Sequence, residues 1–211
     1  MTKQTLVLLG DSILDNAPYT GPEPDSTEHL QRLLPGWSVQ RLAQDGATMA
    51  DIPSQLRKLP EHTSSAVLSI GGNDAVEHIG LLTKPASNSA DVLRDLLDMS
   101  SDFASRYATT ARSAAARVDR LVLCTIYEVH LEPAHYAELA RVPLALLNDA
   151  IVRTASNLGV DVLDLRTVCT DAGDFVLQIE PSARGAAKIA RAIASVFNGD
   201  NQIGSARVFA A

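Results

Sequence analysis

The chain has 211 residues, of which 46% are hydrophobic and 20% charged, and its formal net charge is −7. This length and composition are typical of a single globular domain with a sizeable buried core, and the negative charge argues against a nucleic-acid partner. No run approaches the roughly 20 apolar residues of a membrane span, and the N-terminal apolar run is shorter than that of a signal peptide. The sequence therefore predicts a cytoplasmic protein.

Five short runs of apolar, β-branched or leucine-rich sequence predict β-strands at 5–9, 38–42, 66–70, 121–126 and 160–165. Helical patterns separate them at 26–36 after a Ser26 or Thr27 N-cap, at 89–118, at 142–159 and at 182–199 after Ser182. The alternation predicts a three-layer α/β/α sandwich with a flavodoxin-like, parallel five-stranded sheet in the order 2-1-3-4-5. Residues 1–199 form one predicted domain, and 200–211 form a C-terminal tail, either frayed or packed as an extended arm.

Polar loops follow the first three predicted strands. Ser12 follows strand 1 in the motif GDS, Gly46 follows strand 2, and Asn73 follows strand 3 in the motif GGND. In a sheet of this order, the carboxyl ends of strands 1 and 3 border the ligand-binding crevice. Acyl transfer needs a nucleophile and hydrogen-bond donors aimed at the developing oxyanion. Ser12 suits the role of nucleophile. The Ser12 N–H, the Gly46 N–H and the Asn73 amide suit the role of oxyanion donors. The alternative interpretation of Ser12 is a turn serine that satisfies a local backbone group.

These motifs, in this order and on these loops, resemble the first three sequence blocks of the GDSL or SGNH hydrolases. The resemblance covers most of the chain. It implies the SGNH hydrolase fold and an esterase or lipase that acts on a small-molecule acyl ester without a cofactor. It also implies that Ser12 is the nucleophile and that Gly46 and Asn73 complete the oxyanion hole.

The last sequence block departs from the family pattern, which presents Asp-x-x-His just before the final helix. In the matching segment of this chain, Glu180 stands at the position of the family's histidine and Leu177 at the position of its aspartate. One hypothesis makes Glu180 the base, which requires burial to raise its pKa against the effect of the adjacent helix dipole. A second takes the base from His78, or from His130 or His135 after strand 4. A third hypothesis is that the protein is catalytically silent and only binds its ligand. If the protein is an enzyme, the alternative to a hydrolase is an acyltransferase.

The remaining assignments concern the surroundings of the site. Asp11, Asp74 and Tyr127 are predicted substrate-binding residues, and Asp11 and Asp74 are also expected to brace their loops by accepting backbone N–H bonds. Tyr127 lies on a long predicted loop, 125–143, of the kind that shapes substrate pockets. The histidines and cysteines show no metal-ligand spacing, so no metal site is predicted, and Cys124 and Cys169 are expected to be buried free thiols. The oligomeric state is left open.

Overall fold

A computed structural model of the chain describes residues 4–198. Its elements are β1 (Gln4–Gly10), α1 (Ser26–Leu33), β2 (Trp37–Arg41), α2 (Ile52–Leu56), β3 (Ser65–Ser69), α3 (Gly72–Val76), α4 (Ser89–Ala115), β4 (Arg120–Cys124), α5 (Ala134–Leu158), β5 (Asp161–Leu163), β6 (Phe175–Val176), β7 (Glu180–Pro181) and α6 (Ala183–Asn198). None of these helices is long and apolar enough to cross a membrane. The predicted tail, 200–211, lies outside the described residues.

Strands β1 to β5 form one parallel sheet in the order β2-β1-β3-β4-β5, which confirms the predicted topology. Each strand lies within two residues of its predicted bounds, because the apolar runs mark the segments that the sheet buries. Strands β1 and β3 stay paired as far as Gly10 and Ser69. The order of the strands reverses at this point of the sheet, so the loops that follow β1 and β3 leave towards opposite faces and a crevice opens between them. Strands β6 and β7 form a separate antiparallel hairpin.

Alternate residues of β1 face opposite sides of the sheet and are fully buried on both. Leu6 and Leu8 pack into a core with α1 and α6. Val7 and Leu9 pack into a second core with α2, α4 and α5. Because a parallel sheet must cover both faces, these two cores give the predicted α/β/α sandwich.

Two helices begin at residues other than those predicted. Helix α5 begins at Ala134 and continues through Pro143, so the prediction of a loop over 125–143 is wrong for its second half. Pro143 costs the helix one hydrogen bond, and its ring lines a cavity together with neighbouring side chains of α5. Helix α1 is capped by Asp25, which accepts a bond from the Glu28 N–H, and the predicted cap Ser26 is instead buried as the first helical residue.

Candidate active site

A cavity of about 110 Å³ opens where β1, β3 and β4 end. Because parallel strands present their carboxyl ends at one edge, the loops that follow them meet there. Gly46 and Asp74 do not line this cavity. The predicted site residues that do are Asp11, Ser12, Asn73, His78, Tyr127 and Glu180.

Two buried side-chain amides hold the strand ends beside the cavity. Gln55 bonds both to the N–H and to the carbonyl of Gly10, each at 2.8 Å, directly before the GDS loop. Asn148 does the same for Ile126 after β4, at 2.7 and 2.8 Å. Gly10 has φ +131°, and a Cβ there would lie 1.7 Å from the Ser69 carbonyl oxygen, so only glycine allows this approach. Sequence reasoning missed both amides, although a polar amide on an apolar helix face is a signal for such a contact.

The loops after β2 and β3 are tied together by Asn73 and Asp74. The Asn73 side-chain amide donates to the Ala47 carbonyl at 2.9 Å, which leaves its second N–H for another acceptor. Asp74 is 1% exposed and accepts bonds from the Met49 N–H and the Arg106 guanidinium. Burial raises the pKa of Asp74, opposed by the Met49 N–H and then by Arg106. Asp74 thus lies beneath the site and braces the loop that carries Asn73.

Ser12 and Glu180 interact at the polar end of the cavity. Ser12 is 6% exposed, and Glu180 is half-buried. Burial raises the pKa of Glu180 above its usual value, and the hydrogen bond from the Ser12 hydroxyl opposes that rise less strongly. The contact falls short of full hydrogen-bond geometry, and the Glu180 Oε2 atom is buried without a hydrogen-bond partner among residues 4–198. The arrangement is a serine hydroxyl beside a partly desolvated carboxylate.

Glu180 is positioned by the β6–β7 hairpin. Leu177 and Gln178, in its turn, have φ of +49° and +73°, a region that non-glycine residues seldom adopt. Leu177 is 74% exposed, so the position matched to the usual aspartate is at the surface. The Tyr127 hydroxyl donates to the Ile179 carbonyl at 2.5 Å and ties the hairpin to the end of β4. Since this hydroxyl is used internally, only the ring of Tyr127 is left to contact a substrate.

The three histidines considered as alternative bases lie in different surroundings. His78 is half-buried and lines the cavity. His130 is exposed, with its ring centroid 4.8 Å from that of Phe175, and His135 is exposed on α5. Neither of these two lines the cavity, so His78 is the histidine that competes with Glu180. Within residues 4–198, no group of three or more His, Cys, Asp or Glu side chains is placed to hold a metal ion.

Asp11 adds a second carboxyl group to the cavity. The pKa of Asp11 is raised to about 8, mainly by burial. The Ile13 N–H, which donates to Oδ1 at 3.1 Å, opposes this rise, and the negative charge of Glu180 adds to it. The side chains of residues 4–198 that line the cavity include neither Lys nor Arg. Because two carboxylates without a cation cannot both ionise at low cost, Asp11 is mostly neutral at pH 7.

Asp11→Asn is expected to stabilise the protein increasingly as the pH rises from 4 to 8. The unfolded chain releases the Asp11 proton near the ordinary value of 3.8, whereas the folded protein holds it to about 8, so the parent loses stability across this interval. The amide carries no charge and keeps an acceptor for the Ile13 N–H. Urea unfolding should show the advantage of Asp11→Asn growing by several kcal/mol, up to about 5 kcal/mol, from pH 4 to 8. A pH-independent difference would contradict a buried, neutral Asp11.

Comparisons with known proteins agree with this architecture. The model of the GDSL-like lipase/acylhydrolase family matches residues 8–188. Phospholipase A1 from Streptomyces albidoflavus is 16% identical, with a TM-score of 0.68 over 92% of this chain and 99% of that one. A lipase from a goat rumen metagenome is 17% identical, with a TM-score of 0.68 over 90% and 95%.

An acetylxylan esterase from Geobacillus stearothermophilus, solved as a catalytic mutant in which alanine replaces a histidine, is 15% identical. Its TM-score is 0.63, over 91% of this chain and 93% of that one. At these identities the solved structures show a shared fold. No sequence among the curated proteins matches the chain.

Proposed function

Because the chain belongs to the GDSL-like lipase/acylhydrolase family, we propose that it hydrolyses carboxylic esters with Ser12 as nucleophile and Glu180 as general base. The observation that carries this proposal is the interaction of the Ser12 hydroxyl with a carboxylate whose pKa is raised by burial, in a cavity that Asn73 also lines. A carboxylate becomes a stronger base as its pKa rises towards the working pH. Burial therefore compensates in part for the absence of a histidine at position 180.

In the proposed reaction, the Ser12 Oγ bonds to the acyl carbon while its proton passes to Glu180. The tetrahedral oxyanion accepts bonds from the Ser12 N–H, the Gly46 N–H and the Asn73 amide. Glu180 then gives the proton to the departing alkoxide, which leaves as the alcohol. Water attacks the acyl-Ser12 ester with Glu180 again as base, and the acid and free Ser12 are released.

The backbone around Ser12 and Gly46 supports their roles as oxyanion donors. Within the described chain, neither N–H donates to a backbone carbonyl outside the regular elements, so both are open to a ligand. Gly46 has φ +75° in an exposed turn, and nothing lies within 4 Å of the position that a Cβ would take. The bond from Asn73 to the carbonyl of the next residue, Ala47, keeps this turn beside the Asn73 amide.

The proposal is tested by assaying purified protein with short-chain nitrophenyl esters from pH 5 to 9. We expect release of nitrophenol and free acid, with no requirement for an added acceptor. Stimulation by an alcohol or amine, with the acyl group found on that acceptor, would identify an acyltransferase instead. No turnover of any ester across this pH range would leave a binding protein and contradict the proposed hydrolysis.

A further inference from the structure

The wall of the cavity is divided between a polar end and an aliphatic remainder. Ser12, Asn73 and Glu180 lie at the polar end, beside the carboxyl ends of the strands. The remainder of the wall comes mainly from two segments, 75–82 after β3 and the first half of α5, which supply almost only aliphatic side chains. A hydroxylated or charged acyl group would find few polar partners along this wall, and burying unpartnered polar groups is costly.

Helix α5 supplies a continuous stripe along one side of the cavity, formed by Ala140, Pro143, Leu144 and Leu147. These positions follow the i, i+3, i+4, i+7 spacing of one helix face. Asn148 bonds to the backbone at the end of β4, which places the Leu147 end of the stripe beside the polar end of the cavity. The stripe therefore runs away from Ser12 towards Ala140, over about 10 Å at 1.5 Å per residue.

The 75–82 segment gives the cavity an exposed rim. Val76 and Ile79 both line the cavity, yet they are 43% and 47% exposed. Apolar side chains exposed together in a concave surface gain free energy when an apolar ligand covers them. The length and chemistry of this groove thus match an aliphatic chain lying between α5 and the 75–82 segment.

We propose that the acyl group of the substrate is an unbranched aliphatic chain of about eight carbons, which lies along α5 with its carbonyl at Ser12. This inference rests on the proposed function. An extended chain advances about 3.3–3.6 Å for every three backbone bonds, so 10 Å accommodates about eight bonds. An acetyl group would leave the α5 stripe and the exposed rim uncovered.

The chain-length preference is measured with nitrophenyl acetate, butyrate, hexanoate, octanoate and decanoate, each below the concentration at which it aggregates. Each methylene removed from water should raise kcat/KM about fourfold, which gives roughly 250-fold over the four methylenes from butyrate to octanoate and little further gain. A kcat/KM for the acetate ester equal to or above that for octanoate would overturn the proposal.

The groove itself is tested by Ala140→Phe, which places a ring at the end of the stripe far from Ser12. We expect the octanoate-to-butyrate ratio of kcat/KM to fall at least about tenfold, because the longer chain loses its contacts with the wall. Ala145→Phe is the matched control, since Ala145 is exposed on the same helix and does not line the cavity. An unchanged ratio in folded Ala140→Phe protein would contradict the assigned groove.

Binding without turnover separates this inference from the proposed function. Calorimetric titration of Ser12→Ala protein with methyl hexanoate and methyl acetate should give a Kd at least about 30-fold lower for hexanoate. If the parent protein shows no esterase activity, that result would support the groove and contradict the proposed hydrolysis. Equal affinities for the two esters, together with turnover of every nitrophenyl ester by the parent protein, would contradict the groove and support the proposed hydrolysis.

Discussion

Replacing Ser12 with alanine is expected to lower kcat/KM for a nitrophenyl ester by about 10³- to 10⁶-fold. Without the hydroxyl no acyl-enzyme forms, and water must attack the ester directly with help only from binding and the oxyanion donors. Ser12 is buried, and within residues 4–198 its hydroxyl contacts Glu180 without holding any other group in place, so the fold should survive the change. The measurement is the turnover of the purified variant, with its unfolding midpoint recorded alongside.

Ser54→Ala is the matched control. Its hydroxyl donates to the Asp51 carbonyl at 2.8 Å on α2, and it does not line the cavity. We expect its kcat/KM to stay within about twofold of the parent, as for other substitutions away from the site. If Ser12→Ala keeps more than a tenth of the parent activity, Ser12 is not the nucleophile.

Replacing Glu180 with glutamine is expected to lower kcat/KM by about 10²- to 10⁴-fold, the usual contribution of a general base. The amide preserves the shape of the side chain but cannot accept the Ser12 proton. In the parent, the base acts as an anion, so activity should fall as the pH drops through the pKa of Glu180. Since burial raises that pKa, the midpoint should lie above the ordinary value of about 4.3. The pH profile of kcat/KM measures both effects.

Two further variants decide whether the carboxylate or a histidine is the base. Glu77→Gln removes the same charge from an exposed position near the site and should change kcat/KM by less than about threefold. His78→Ala should have a similarly small effect if Glu180 is the base. If Glu180→Gln keeps full activity and His78→Ala loses it, His78 and not Glu180 is the general base.

Much of the fold was predictable because the sheet is buried on both faces. The apolar runs at 5–9 and 66–70 stand out against their surroundings, and alternation with helices restricts how such strands can be ordered. Gly159 stops α5 at φ +66°, as its sequence context predicts. The beginning of α5 was missed, because Pro143 normally marks a boundary and here lies within the helix.

Part of the site was predictable from the positions of the strands. Residues placed directly after strands 1 and 3 must reach one edge of the sheet, which brings Ser12 and Asn73 to the same cavity. The neutral state of Asp11 could not be predicted, because it depends on burial and on the charge of Glu180, far along the chain. The clamp from Gln55 to Gly10 likewise joins residues 45 positions apart. The wall along α5 was missed together with the start of that helix.

Labelling with a fluorophosphonate probe, mapped by mass spectrometry, tests the nucleophile most directly. We expect a covalent adduct on Ser12 of the parent protein and none in Ser12→Ala, with labelling that slows as the pH falls through the pKa of Glu180. The absence of an adduct on Ser12 at every pH from mildly acidic to basic would contradict it.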